Sequence, residues 1–235
     1  QPSTNHQAVT TLQRRMEERA TTDSHSFVTL CYRQSLDGVL CQLSAPPNSF
    51  QSADAAAFIR HFQAVHDAFI VDSRGVTDSQ LAGYIQEACS AQQTRLVIYD
   101  PALTSASMAT ELLDGNCTSL IYAAAQSSIE SHGLRIEDSG AGVIRLPTNA
   151  DVHTHVEVML QQLESRELCR VMLDGTQSMM ETLLHNEIAN YIIAFIDPSF
   201  AGNNDQDRLD ITHTCLTNPS YSPFQSGLIV QGYVD

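Results

Sequence analysis

The residues of this chain that could do chemistry fall in short polar stretches, each directly behind an apolar run. Gln34-Ser35-Leu36-Asp37-Gly38 groups a hydroxyl, a carboxylate and a glycine able to close a tight turn. Asp72-Ser73-Arg74-Gly75-Val76-Thr77-Asp78 sets two carboxylates around one guanidinium. Asp100-Pro101-Ala102-Leu103-Thr104 adds a third place, and Asp174-Gly175-Thr176-Gln177 a fourth, where free backbone N–H groups could hold an anion. Carboxylates and imidazoles suit proton transfer, and a guanidinium suits a developing negative charge or a carbonyl oxygen. Asp37, Asp78 and His66 are therefore the candidate catalytic residues, with Arg33 and Arg74 as the cations beside them.

Each stretch also has a plainer reading. The first is an ordinary turn by composition. Ser178-Met179-Met180-Glu181 has the S-x-x-E form of a capping box, so Asp174 to Ser178 would only start a helix. His61 and His66 are five apart and would not share a helical face, which gives His66 a structural role at a helix-to-strand junction. His153 and His155 flank Thr154 with no acidic or cysteine spacing that completes a metal site. No Gly-x-Ser-x-Gly elbow or phosphate-binding Walker sequence is present.

The elements that must position these residues alternate. Strands are expected at Phe27 to Tyr32, Asp67 to Val71, Arg95 to Tyr99, Thr118 to Ala123, Gly142 to Leu146, Arg170 to Leu173 and Tyr191 to Ile196. Helices are expected at Ala53 to Val65, with Ala57, Phe58, Phe62 and Val65 on one face, and at Asp78 to Cys89, Ser107 to Leu113, Val152 to Leu163 and Ser178 to Leu184. A Pro-containing loop covers Ser44 to Ser49, and Leu228 to Val234 ends the chain as an edge or antiparallel strand. Strands alternating with helices imply a three-layer α/β fold, with a mostly parallel central sheet and helices on both faces. One domain over 26–235, preceded by a flexible arm over 1–25, is expected. In such a sheet ligands gather beyond the C-terminal ends of the strands, which is where all four polar stretches fall.

Composition narrows the partners. The chain has 235 residues, with 27 acidic against 12 basic side chains, the latter all Arg, and a formal net charge of −15. That field disfavours nucleic acid. No apolar run approaches the roughly 20 residues that cross a bilayer, so a soluble, cytoplasmic protein is expected. The six cysteines are widely spread without a C-x-x-C pair and read as mostly reduced, buried thiols, and Asn116-Cys117-Thr118 matches a glycosylation sequon.

Taken together, the stretches carry a family likeness. Phe27-Val28-Thr29-Leu30 leading into Gln34-Ser35-Leu36-Asp37-Gly38, followed by His66-Asp67-Ala68-Phe69-Ile70-Val71, resembles the reductase domain of riboflavin biosynthesis. Arg170-Val171-Met172-Leu173-Asp174-Gly175 looks like its strand ending in Glu-Gly-Gly, and Ser199-Phe200-Ala201-Gly202 like its Phe-Leu-Gly turn. The resemblance implies the dihydrofolate-reductase-like fold, a homodimer, and reduction of the ribosyl group of a diaminopyrimidinone ribosyl phosphate by NADPH. It places Thr29, Arg33, Ser35, Asp37 and Asp78 on the substrate side, and Asp72, Arg74, Gly75, Val76, Asp174, Gly175 and Thr176 along the cofactor.

The departures from the family pattern fall on the cofactor. The stretch after the second strand is shorter and has lost most of its small residues, and Asp72 puts a carboxylate where phosphate or ribose would approach. Arg74 offsets it only by turning inward. Asp100 to Thr104 lacks the Ser and Arg that would suit the extra phosphate of NADPH, and Thr176 stands where the family has a glycine. Three readings follow: a working reductase, a scaffold turned to non-redox small-molecule chemistry such as cyclisation or isomerisation, and a catalytically silent binding subunit.

Overall fold

The structure is a computed structural model that describes residues 4–20, 26–41, 59–91, 94–105, 118–132, 136, 138, 140–202, 208–209, 214–224 and 227–234. In chain order its elements are α1 (Thr4–Ala20), β1 (Phe27–Ser35), β2 (Leu40–Cys41), the helical residues 59–63 (α2), β3 (Ala68–Asp72) and α3 (Asp78–Ala91). They continue with β4 (Arg95–Tyr99), β5 (Leu120–Ala125), α4 (Gln126–His132), β6 (Gly142–Leu146), α5 (Val152–Glu164) and β7 (Arg170–Asp174). The chain then forms α6 (Gln177–His185), β8 (Tyr191–Asp197), β9 (Leu216–Phe224) and β10 (Gly227–Val234). The chain divides into two units, one of residues 1–66 with 170–235 and one of residues 67–169.

In the first unit β1 runs parallel to both β7 and β8, with Thr29 level with Met172 on one side and Tyr191 on the other. β10 returns antiparallel along β8, and β9 antiparallel along β10. β1 is buried along nearly its whole length, as a strand flanked on both sides must be. In the second unit β3, β4, β5 and β6 are all parallel, and β3 is buried at every residue. The alternating, mostly parallel arrangement expected from the sequence is therefore present within each unit.

Several elements differ from expectation. The segment read as a flexible arm is helical over Thr4–Ala20, with Leu12 and Met16 buried and the Arg15 guanidinium 4.7 Å from the Tyr233 ring centre. Its three-to-four spacing of apolar residues is diluted by Gln, Thr and Arg, which hides the stripe until the sheet covers it. β9 was not expected, because Pro219 and Pro223 interrupt its pattern. Among the described residues it pairs with β10 alone, and a strand with one free edge tolerates residues lacking an N–H. β2 and α4 are also additional. The Pro-containing loop, the helix at Ser107 to Leu113 and the sequon residues Asn116 and Cys117 lie outside the described residues.

The cysteine reading needs correction. Cys31 is buried and free, but Cys169 and Cys215 are exposed, and Cys89 is disulfide-bonded. Sequence spacing cannot show which thiols the fold brings within bonding distance. Among the described residues no helix is long and apolar enough to cross a membrane, and no group of three or more His, Cys, Asp and Glu is placed to hold a metal ion.

Candidate functional site

The first candidate region lies at the C-terminal end of β1. The chain turns back to β2 through Gly38, whose φ of +81° is the left-handed conformation that favours glycine. Ser35 closes the turn, because its N–H donates to the Val39 carbonyl and its hydroxyl accepts the Val39 N–H. Asp37 is engaged on both oxygens. Oδ1 accepts from the Ser35 hydroxyl and from Ala201 N–H at 3.0 Å, and Oδ2 accepts from Gly202 N–H at 2.9 Å. The Ser35 hydrogen bond, followed by those from Ala201 and Gly202, holds the Asp37 pKa down at about 2. Asp37 thus ties the turn after β1 to the segment after β8, which Leu36 N–H also reaches at the Ser199 carbonyl. Ala201 and Gly202 are the partners that sequence reading placed only in a family turn.

Asp174 ends β7, buried, one residue beyond the Leu30–Leu173 register pair and so beside Cys31. Burial first, and then the Asp174 charge, raise the Cys31 thiol well above its usual range. Thr176 sits at φ −65° as the N-cap of α6, so the positive φ denied to a β-branched residue is not required there. The cap is two residues earlier than the S-x-x-E pattern suggested: Ser178 lies inside the helix, and Glu181 accepts from Gln177 Nε2 at 2.8 Å. Gln177 also donates to the Arg208 carbonyl at 2.7 Å. Gly175 sits in a tight place, since a Cβ there would lie 2.9 Å from Leu173 Cδ2 and 3.1 Å from Met179 Sδ, side-chain atoms that would have to shift to admit it.

Thr29 and His66 form a buried pair. His66 Nδ1 lies 2.6 Å from the Phe62 carbonyl, which can only accept, so Nδ1 carries the proton. In the neutral ring Nε2 then accepts from the Thr29 hydroxyl at 2.9 Å. Thr29 is six residues before Ser35 along β1, a separation of roughly 20 Å at the strand rise. The structure therefore does not bring Thr29 and His66 together with Ser35 and Asp37. Arg33, buried, lies between them on β1, level with Phe195 of β8.

The second unit gathers its polar groups where β3 and β4 end. Asp72 pairs with Tyr99 in the β3–β4 register, and its buried carboxylate caps the 3-10 turn Ser73–Gly75. Arg74 does turn inward: Nε donates to Asp72 Oδ1 at 2.9 Å, Nη2 to Oδ2 at 2.7 Å, and the Arg74 backbone N–H to Oδ1 at 3.1 Å. Its guanidinium carbon lies 5.2 Å from the centre of the Tyr99 ring. Gly75 is buried, Val76 is extended, and Asp78 stands exposed at the first turn of α3, where the helix dipole favours a carboxylate.

Behind this pair Tyr99 Oη lies 2.9 Å from His155 Nδ1, and His155 Nε2 lies 2.9 Å from the Pro147 carbonyl. The carbonyl fixes the proton on Nε2, so the Tyr99 hydroxyl donates to Nδ1 in the neutral ring. Burial pushes the Tyr99 hydroxyl up to about 12 against the opposing pull of Arg74. Asp100 is buried and accepts four bonds from its own loop: Thr104 N–H and hydroxyl at 3.1 and 3.2 Å, and Ser105 N–H and hydroxyl at 2.8 and 2.6 Å. Tyr99, Ser105 and His155 were not sequence candidates for this site, because a strand tyrosine and a helix histidine carry no local signal of meeting.

This α/β arrangement of parallel strands continued by an antiparallel pair is that of the dihydrofolate-reductase-like riboflavin reductases. Residues 26–212 match the family described as the RibD C-terminal domain, and the chain belongs to that family. It is similar in structure to a pyrimidine reductase-like protein from Corynebacterium diphtheriae, with a TM-score of 0.66 at 17% identity over 89% of this chain and 92% of that one. The riboflavin biosynthesis reductase Rib7 of Saccharomyces cerevisiae gives 0.63 at 18% over 91% and 92%, and Acinetobacter baumannii RibD gives 0.61 at 16% over 92% and 60%. At these identities the likeness speaks for the fold alone. No curated protein matches the chain by sequence.

Proposed function

We propose that this member of the family binds a small-molecule substrate at the strand ends without NADPH, and acts on it by non-redox chemistry. The observation that carries the reading is the pair of buried carboxylates, Asp72 and Asp100, that already occupy the local donors. A phosphorylated dinucleotide needs backbone N–H groups and cationic side chains for its phosphates. Around Asp72 those donors are the N–H and guanidinium of Arg74, and around Asp100 they are the N–H groups and hydroxyls of Thr104 and Ser105. A phosphate 4 Å from either carboxylate would meet a repulsion of about 4 kcal/mol per pair of unit charges at an effective dielectric of 20. These residues do not fit the cofactor. Asp78, exposed four residues beyond Arg74, is the carboxylate left for proton transfer, while Asp37 holds a turn.

One observation favours the conventional reading, NADPH-dependent reduction of a diaminopyrimidinone ribosyl phosphate: the Arg74 side chain is 47% exposed, so a cation remains within reach of a phosphate. Titration with NADPH, followed by nicotinamide fluorescence and thermal shift, separates the two. A dissociation constant of about 10 μM would add about 2.7 kcal/mol at 1 mM, a Tm rise on the order of 5 °C. The expected result is no rise, and a rise of that size overturns the reading. The homodimer that the resemblance implies is tested separately by light scattering.

A further inference from the structure

We infer that Arg74 is a specificity-determining residue, held so that its outer Nη1 edge donates in-plane to a planar, uncharged, carbonyl-bearing molecule. It is fixed from three directions. Asp72 takes Nε and Nη2 in a two-point clasp, and its Oδ1 also takes the Arg74 backbone N–H. The guanidinium carbon lies over the Tyr99 ring, 5.2 Å from its centre. Tyr99 is itself held by His155, and His155 by the Pro147 carbonyl. Tyr99 and His155 are positioning residues in this arrangement.

What remains open is specific. Nη1 has no partner among the described residues, and the side chain is 47% exposed. A planar group lying edge-on to the guanidinium can accept from Nη1 through its carbonyl oxygen. Charge decides against an anion: Arg74 contributes +1, Asp72 −1 and the nearby Asp100 −1, which leaves −1. A neutral acceptor feels the directed N–H without that repulsion, whereas a phosphate or carboxylate does not. The inference deepens the preceding reading in that no phosphorylated cofactor covers Arg74.

The test follows the Arg74 Nε–H resonance of the full chain by 15N NMR during titration with 2-pyridone, and separately with inorganic pyrophosphate at matched ionic strength. Saturable movement with 2-pyridone, at least tenfold weaker in Tyr99→Leu, is expected, with pyrophosphate leaving the resonance in place. Tyr99→Phe, which keeps the ring and loses only the bond to His155, should retain binding but speed exchange of that proton with water. Pyrophosphate acting at lower concentration than 2-pyridone, or neither probe moving the resonance, overturns the inference. Should the variants fail to fold, the two titrations of the native chain still decide it. NADPH stabilisation together with a 2-pyridone response would defeat the cofactor-free reading and leave the role of Arg74 standing.

Discussion

The carboxylate of Asp37 accepts the backbone N–H of Gly202 at 2.9 Å across 165 positions of sequence. With Ser35 and Ala201 on the other oxygen, this side chain joins the turn after β1 to the segment after β8, so a residue with the look of an acid or base works as a clasp. Gly202 itself sits at φ +90°, which lets its N–H face the carboxylate.

The clasp gives stability a defined acid dependence. Asp37 titrates at about 2 in the folded chain against 3.8 ordinarily, so its contribution is present above pH 4 and lost as pH falls from 4 through 2. Asp37→Asn should lower stability at neutral pH and flatten this part of the profile. Urea unfolding at a series of pH values checks it; an unchanged acid limb would show that the clasp contributes nothing.

The buried Thr29–His66 pair should matter for stability. Thr29→Val keeps the shape of the side chain but leaves His66 Nε2 unpartnered by that hydroxyl, at a cost of about 1–3 kcal/mol. Thr29→Ser, which retains the hydroxyl, should recover most of it. Equilibrium denaturation of the two variants distinguishes a hydrogen-bonding role from a packing role.

Two glycines should respond oppositely to alanine. At Gly175 the new Cβ meets Leu173 and Met179, and overpacking costs about 1–3 kcal/mol. At Gly83, in α3 with nothing within 4 Å, the same change should stabilise by about 0.5–1 kcal/mol through helix propensity. Thermal melts of Gly175→Ala and Gly83→Ala should move in opposite directions.

Thiol chemistry should separate the cysteines. Native protein treated with iodoacetamide should be labelled at exposed Cys169 and Cys215, while Cys31, buried with its thiol held neutral, and disulfide-bonded Cys89 stay unmodified until unfolding and reduction. Peptide mass spectrometry reads this directly; rapid native labelling of Cys31 would contradict its burial.

The strand positions were readable because buried parallel strands are nearly continuous apolar runs, and those around Phe69-Ile70-Val71 and Leu96-Val97-Ile98 lie within a residue or two of their expected places. α1 and β9 were not, because Leu12 and Met16 become a buried stripe only against a sheet, and Pro219 and Pro223 are tolerated only on an edge. The polar stretches at the strand ends were likewise visible as candidates. Their roles were not: Arg74 near Asp72 was a question of side-chain direction, and Thr176 was a question of φ.

The sequence by itself determined the alternation of strands and helices, the places where polar residues gather and membership of the riboflavin-reductase family, because periodicity and short motifs are local properties. Only the tertiary structure decided that Asp37 grips Gly202, that Arg74 lies between Asp72 and Tyr99, and that His155 stands behind Tyr99. Those are contacts between residues distant along the chain or set by rotamer choice, and a hydrogen bond depends on distance and angle that no spacing of residue types contains.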